Sequence, residues 1–319
     1  MSSNMSRVTV NMKIEKVHFQ SEGMKVVGNL FRPIGSSKEK EEGEEKAQQP
    51  AVLVAGAMTG VKEQVAGQYA ERIAKAGYIT LALDHRHFGE SDGMPRQHED
   101  PAKKMEDFKN AISFLSSLND VDKERIGACG ISMGGGYMLQ LAAFDRRIKA
   151  VAIVASGLNL GDTLLEMLGK DGFNNFLREF NASRQKRYDT GEVQYIPAVA
   201  TGNKPAAMIG DEPFEYYGTS RAWSPWWVNR YTAESIENLM SYNAVPYAHH
   251  VSPTPLLIIH GKNDKYCLPK FVQQVYEEAS EPKEILWLDT TNHIDLYDNG
   301  KYVNPAISKI LEWYNRYMS

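Results

Sequence analysis

The stretch Gly130-Ile131-Ser132-Met133-Gly134-Gly135-Gly136 constrains this chain more than any other. It follows the short apolar run Arg125-Ile126-Gly127-Ala128-Cys129 and precedes Tyr137-Met138-Leu139-Gln140-Leu141-Ala142-Ala143-Phe144. That pattern reads as strand, tight turn and helix. A turn so sharp brings the two main chains almost into contact, so glycines are needed on both sides of the central residue. Ser132 then stands at the tip with its Oγ directed out of the sheet. The N–H of Met133 lies at the start of the helix, where unpaired donors and the positive dipole end favour a developing negative charge. This is the arrangement of a nucleophilic serine. The competing reading is a phosphate-binding turn. It would need a following Gly-Lys-Ser/Thr, or the dinucleotide spacing with an acid about 20 residues on, and the sequence has neither.

The rest of the chain supplies a sheet to hold that turn. Lys13–Phe19 roughly alternates polar and apolar residues, Ser21-Glu22-Gly23 turns, and Met24–Phe31 continues as a second strand. Such a hairpin suits the antiparallel edge of an otherwise parallel sheet. The charge run at 38–46 within residues 35–50 is expected to be a mobile surface loop. Ala51–Ala55, Tyr78–Leu83, Val151–Ala155, Leu256–His260 and Glu284–Leu288 are apolar runs of the kind that strands covered on both faces show. Helical patterns separate them at Val61–Ala76, at 101–118 with Met105, Phe108, Ala111, Ile112 and Leu115 on one stripe, and at 304–318. Alternating strands and helices imply an α/β fold, a mostly parallel sheet flanked by helices with right-handed crossovers.

Residues 157–252 break that alternation. They hold 14 of the chain's 32 aromatic residues (5 Trp, 16 Tyr, 11 Phe) and no strong buried-strand run. An insertion beside the strand ends, where ligands bind in such sheets, reads as a helical cap. The expected organisation is a core of residues 1–156 and 253–319 with a cap at 157–252. Most of the cap's rings are expected to form its own core. Tyr216, Tyr217, Trp223, Trp226 and Trp227 are the ones expected to line a substrate pocket.

A serine hydroxyl is inert at its free pKa and needs a base, which a carboxylate must orient. In sheets of this class the acid and the histidine follow the serine in that order. Asp264 lies just past the strand that ends in His260, and His293 occupies the loop after the last strand. Both loops open at the same edge as Ser132. Asp295 is the competing acid, but it would have to turn back on its own loop. His260 reads as packed, and His249 and His250 lie near the return of the cap, where they can touch substrate. The second oxyanion donor is expected in Gly56-Ala57-Met58, with the Met58 N–H favoured beside that of Met133. Arg86 reads as a tie between neighbouring loops through charge-assisted bonds.

Composition excludes several classes. A net charge of −4 argues against a nucleic-acid surface. No run of about 18 apolar residues is present, so no membrane helix is expected. The polar N-terminus lacks the apolar core of a signal peptide, and Tyr317-Met318-Ser319 does not match a peroxisomal address. The two cysteines, Cys129 and Cys267, do not suggest a disulfide framework. A cytoplasmic location follows as the default. No histidine–cysteine cluster has zinc spacing, so neither metal nor cofactor is implied.

On Gly130–Gly134, the Asp84–Ser91 loop, Asp264 and His293, the chain resembles an α/β-hydrolase over about residues 12–318. Two stretches, Gly56-Ala57-Met58-Thr59-Gly60-Val61-Lys62-Glu63-Gln64 and Asp84-His85-Arg86-His87-Phe88-Gly89-Glu90-Ser91, resemble a dienelactone-hydrolase-like group that includes fungal polyketide transferases and thiohydrolases. The resemblance implies attack of Ser132 on a thioester or ester carbonyl, then release to water or an alcohol. It also implies a small-molecule acyl substrate, with a polyketide synthase acyl-carrier domain as a partner. The sequence lacks the His-Gly common at the oxyanion loop and has Gly56-Ala57 there instead. Two other readings stay open. One keeps the triad for carbon–carbon cleavage, cyclisation or elimination without an acyl-enzyme. The other is a non-catalytic binding protein with this fold. An aromatic cap surface is also compatible with a homodimer.

Overall fold

The computed structural model describes residues 11–34, 47–202 and 204–319, and the charge run at 38–46 lies outside them. Eight strands of the described chain form one sheet: β1 (Asn11–Ser21), β2 (Met24–Ile34), β3 (Gln49–Ala55), β4 (Ile79–Asp84), β5 (Val121–Ile131), β6 (Ile148–Val154), β7 (Leu256–Gly261) and β8 (Lys283–Leu288). Their order is β1-β2-β4-β3-β5-β6-β7-β8. The β1–β2 and β2–β4 pairs are antiparallel, and the remaining pairs are parallel. The expected edge hairpin is therefore present. Glu22 (φ 48°) and Gly23 (φ 79°) make a two-residue turn of the left-handed type that matches strand twist.

Burial follows the pleat. Along β3, Ala51, Leu53 and Ala55 face one buried cluster while Val52 and Val54 face the other. The first cluster packs against α2 (Pro101–Ser117), α3 (Met133–Phe144) and α7 (Pro269–Glu278). The second packs against α1 (Val65–Ala74) and α8 (Gly300–Tyr317). The sheet is thus covered by helices on both faces, as its continuous apolar runs require.

Two helix starts differ from the sequence reading. The run from Val61 becomes helical only at Val65, because Asp84 Oδ1 accepts the Lys62 N–H (2.8 Å) and Gln64 Oε1 accepts the Val61 N–H (3.0 Å). The terminal helix begins at Gly300 behind an Asn299 cap, with Pro305 inside it. By contrast, Asp100 caps α2 and Pro101 takes the first helical position, a start signal plain in the sequence.

Between β6 and β7 the chain leaves the sheet. It forms α4 (Leu160–Thr190), broken at Gly169 (φ 65°, ψ 173°), then α5 (Asp211–Tyr217) and α6 (Ala233–Met240). Short two-residue strand pairs join them, Tyr195–Ile196 with Tyr231–Thr232 and Val199–Ala200 with Met208–Ile209. The C-terminal ends of β3, β5, β6, β7 and β8 all open at one edge of the sheet, beneath this segment. Among the described residues, no helix is long and apolar enough to cross a membrane.

Candidate active site

Ser132 joins β5 to α3 with φ 57° and ψ −126°, a conformation that L residues avoid. Its main chain is pinned on both sides. The Ser132 N–H donates to the Val154 carbonyl (3.0 Å), and its own carbonyl accepts from Gly135 N–H and Gly157 N–H (2.8 Å each). The flanking glycines are required by contact. A Cβ on Gly130 would lie 2.1 Å from the Gly134 carbonyl oxygen, and one on Gly134 would lie 2.4 Å from that of Ala55. Three packed main chains therefore hold the strain that lifts the hydroxyl.

His293 and Asp264 arrive from the ends of β8 and β7. His293 Nε2 lies 3.1 Å from Ser132 Oγ, and its Nδ1 lies 2.6 Å from Asp264 Oδ2. The second carboxylate oxygen, Oδ1, accepts the N–H groups of Tyr266 (2.9 Å) and Cys267 (2.8 Å). Asp264 is thus fixed by its own loop before it meets the imidazole. All three side chains are buried. Burial pushes the Asp264 carboxyl up, but the charge and hydrogen bond of His293 outweigh it and bring the group below the ordinary carboxylate value. Burial likewise depresses His293, and the adjacent Asp264 carboxylate overrides that and raises it well above the ordinary imidazole value.

The other sequence candidates are engaged elsewhere, although His260 Nε2 lies 3.7 Å from Asp264 Oδ2. Asp295 accepts from the N–H and hydroxyl of Thr291 (2.8 Å each), so it closes its own loop. His260 accepts the Ser156 N–H at Nδ1 (3.2 Å) and meets the Cys267 carbonyl at Nε2 (2.9 Å), which fixes it as a neutral packing residue. His249 pairs with Glu278 and His250 lies tilted beside Phe144, and neither borders the cavity. Arg86 ties three segments together through Asp107, Glu22 and Ser21.

Met58 and Met133 both border the cavity above Ser132. Met133 is the first residue of α3, and no hydrogen bond to its N–H or to that of Met58 is formed among the described residues. The Met58 loop is held from behind. Buried Glu99 accepts from Thr59 N–H (3.4 Å), Tyr137 (2.8 Å) and Tyr231 (2.6 Å), and pairs with Lys104 (2.9 Å). Thr59 itself adopts φ 62°.

The expected pocket aromatics require correction. None of Tyr216, Tyr217, Trp223, Trp226 and Trp227 borders the cavity. Tyr216 and Tyr217 are buried in the last turn of α5, against Tyr297 and Trp227. Trp223 is 72% exposed, and Trp226, 42% exposed, lies over the ammonium of Lys62. The wall is built instead from the start of α4 and from residues 206–213: Leu158, Leu164, Met167, Phe176, Met208 and Ile209. It is apolar and includes the unbranched side chains of Met167 and Met208, with Ser132, His293, Cys267 and Tyr297 at its floor.

Tyr297, Cys267, Glu99 and Glu212 escaped the sequence reading. Glu212, in the first turn of α5, accepts the Ile294 N–H (2.8 Å) and so ties the cap segment to the histidine loop. Among the described residues, Asp264, Cys267 and His293 are a group whose donor atoms, all within 4.8 Å of one another, could hold a metal ion. Both oxygens of Asp264 are already committed to hydrogen bonds, so an ion there would have to displace them.

Comparison with known proteins agrees with this architecture. A family model described as X-Pro dipeptidyl-peptidase (S15 family) matches residues 22–295. The chain is 34% identical to the protein PA2218 of Pseudomonas aeruginosa over 263 residues, covering 78% of this chain and 68% of the relative. The crystal structure of PA2218 superposes with a TM-score of 0.81 over 99% of this chain and 98% of the other, at 28% identity in that alignment. The thiohydrolase aneE of Aspergillus aculeatus is 27% identical, with 84% of each chain covered. The polyketide transferase claH of Penicillium crustosum is 26% identical, covering 85% of this chain and 87% of the relative. The α/β hydrolase GrgF from Penicillium shares the fold, with a TM-score of 0.78 at 22% identity over 96% of this chain and 99% of the other. The α/β-hydrolase fold and the likeness to fungal polyketide transferases and thiohydrolases, both expected from the sequence, are borne out.

Proposed function

We propose that this chain, which belongs to the X-Pro dipeptidyl-peptidase (S15) family and is an enzyme of the α/β-hydrolase type, acts on a hydrophobic ester or thioester through an acyl-serine intermediate. The observation that carries the reading is the hydrogen-bonded line from Asp264 through His293 to Ser132 at the floor of an apolar cavity. Ser132 Oγ attacks the carbonyl carbon, and its proton passes to His293 Nε2. The Met58 and Met133 N–H groups receive the oxyanion, each worth about two to three orders of magnitude in rate. The tetrahedral carbon then expels the thiol or alcohol, which leaves with the proton from His293. Water or an alcohol repeats the steps in reverse order and frees Ser132.

The cavity wall supports an acyl chain over a dipeptide. Among the described lining residues there is no carboxylate to receive the amino terminus that a dipeptidyl substrate presents. The names of the fungal relatives point to a polyketide acyl group, and a carrier domain would deliver it as a thioester. A fluorophosphonate probe tests the reading. It is expected to label Ser132 in the wild type and nothing in Ser132→Ala, with turnover of acyl thioesters lost in the variant. Folded wild-type protein that takes no label would overturn the nucleophile assignment, and full activity in Ser132→Ala would point to base chemistry without an acyl-enzyme.

A further inference from the structure

His293 Nε2 has two hydroxyl neighbours at the same distance. Ser132 Oγ and Tyr297 OH each lie 3.1 Å away. Because Nδ1 gives its hydrogen to Asp264, the neutral ring has one lone pair at Nε2 to share between them. During acylation Ser132 must claim it. Once Ser132 carries the acyl group, Oγ has no hydrogen to give, and Nε2 is left facing the side where Tyr297 stands.

Tyr297 is held firmly in that place. It lies one helical turn after His293, in the short helix Asp295–Asp298. Its ring sits edge-on to Tyr216 (5.0 Å) and close to His293 (5.1 Å). Tyr69 donates to the Leu296 carbonyl (2.7 Å), and Arg221 grips Asp298 through two bonds. Tyr297 borders the cavity together with Ser132 and His293. Burial raises the phenol well above its ordinary value, so it keeps its proton and serves as a neutral hydrogen-bonding group.

From this we infer that Tyr297 is the docking point for the acyl acceptor, the water or alcohol that discharges the acyl-enzyme. The inference rests on the acyl-serine reading above and assigns one residue to its second half. The acceptor oxygen is held by the Tyr297 hydroxyl while its own hydrogen points at Nε2. That hydrogen moves to Nε2 as the acceptor oxygen bonds to the acyl carbon. The carbon–Oγ bond then breaks, and the proton passes from Nε2 to Oγ. Tyr297 ends each cycle with the proton it began with.

The test is Tyr297→Phe in the full chain, which keeps the ring and removes only the hydroxyl. Fluorophosphonate labelling of Ser132 reports the folded site and the first half-reaction. Its rate is expected to stay within twofold of wild type. The acyl-Ser132 adduct left by p-nitrophenyl octanoate, followed by intact-protein mass, is expected to survive at least tenfold longer. In steady state, kcat and KM are expected to fall together while kcat/KM holds. An adduct lifetime unchanged in the variant overturns the inference, as does an equal fall in labelling rate and kcat/KM, which would place Tyr297 in acylation or in mere packing. Wild-type protein that takes no label fails for a different reason, because then the acyl-serine reading itself falls and this inference with it.

Discussion

Asp264 receives the Nδ1 hydrogen of His293 across 2.6 Å with one oxygen while the other is clamped by the N–H groups of Tyr266 and Cys267. The carboxylate therefore selects the tautomer that leaves Nε2 free to take a proton from Ser132. Asp264→Asn preserves the shape, but its amide can donate to Nδ1 and invert that tautomer. The variant is expected to fold, with kcat/KM for acyl thioesters lower by about four orders of magnitude. A loss of less than tenfold in steady-state kinetics would show that the imidazole does not depend on this acid.

The same pair sets the pH dependence. Asp264 raises His293 above the ordinary 6.5, and catalysis needs the imidazole neutral. The acidic limb of kcat/KM is therefore expected above pH 6.5, and to move down in Asp264→Asn. Stability runs the other way. The ion pair's contribution through His293 is fully present below the unfolded histidine value and fades as pH rises through the raised folded one. Denaturant midpoints across that window should thus fall while activity climbs. A limb at or below 6.5 in the wild type would mean burial wins over the charge of Asp264.

Ser132 stores strain at φ 57°, a cost of order 1–3 kcal/mol for a residue with a Cβ. Ser132→Ala keeps the Cβ and the strain, whereas Ser132→Gly relieves it and gives back about 0.5–1 kcal/mol in unfolded-state entropy. Both variants are expected to be inactive, but the glycine variant should be the more stable of the two by about 1 kcal/mol in urea unfolding. Equal midpoints would show that the corner is not strained.

Glu99 is buried under the Met58–Thr59 loop and accepts from two tyrosines and a lysine. Glu99→Ala leaves Lys104 without its partner in the interior and is expected to cost about 3–5 kcal/mol. Glu99→Gln keeps the volume but weakens the hold on Thr59, and with it the aim of the Met58 N–H. A fall in kcat of about tenfold with KM little changed is expected, the loss of roughly one charge-assisted bond. If kcat is unaffected, the network serves only stability.

How far the sequence could be read follows from range. The β5–Ser132–α3 corner is local, because its glycines are demanded by contacts within a few residues and by the neighbouring strand end. Asp264 and His293 were findable because chain order and parallel strands force their loops to one edge. Tyr297 would be legible if the turn after His293 were read as helical, since a spacing of four residues then brings the two rings together edge to face. The cavity wall was not legible. Tyr216 and Tyr217 face inward because α5 ends against Tyr297, a contact between residues far apart in sequence. Aromatic density marked where the segment packs, while the aliphatic start of α4 and residues 206–209 supplied the wall.

That wall sets acyl length. Ala207 borders the cavity beside Met208, on a segment fixed by hydrogen bonds from the Ala207 and Met208 N–H groups to the carbonyls of Pro197 and Ala198 (2.9 Å each). A phenyl ring at position 207 is expected to project into the apolar space that Ala207 borders. Ala207→Phe is expected to leave fluorophosphonate labelling of Ser132 and turnover of acetyl esters near wild type. For octanoyl esters, excluding three methylenes costs about 2.4 kcal/mol, or roughly 60-fold in kcat/KM. Equal losses for acetyl and octanoyl substrates would show that the chain lies elsewhere, and an unchanged octanoyl rate would show that residues 206–209 do not touch it.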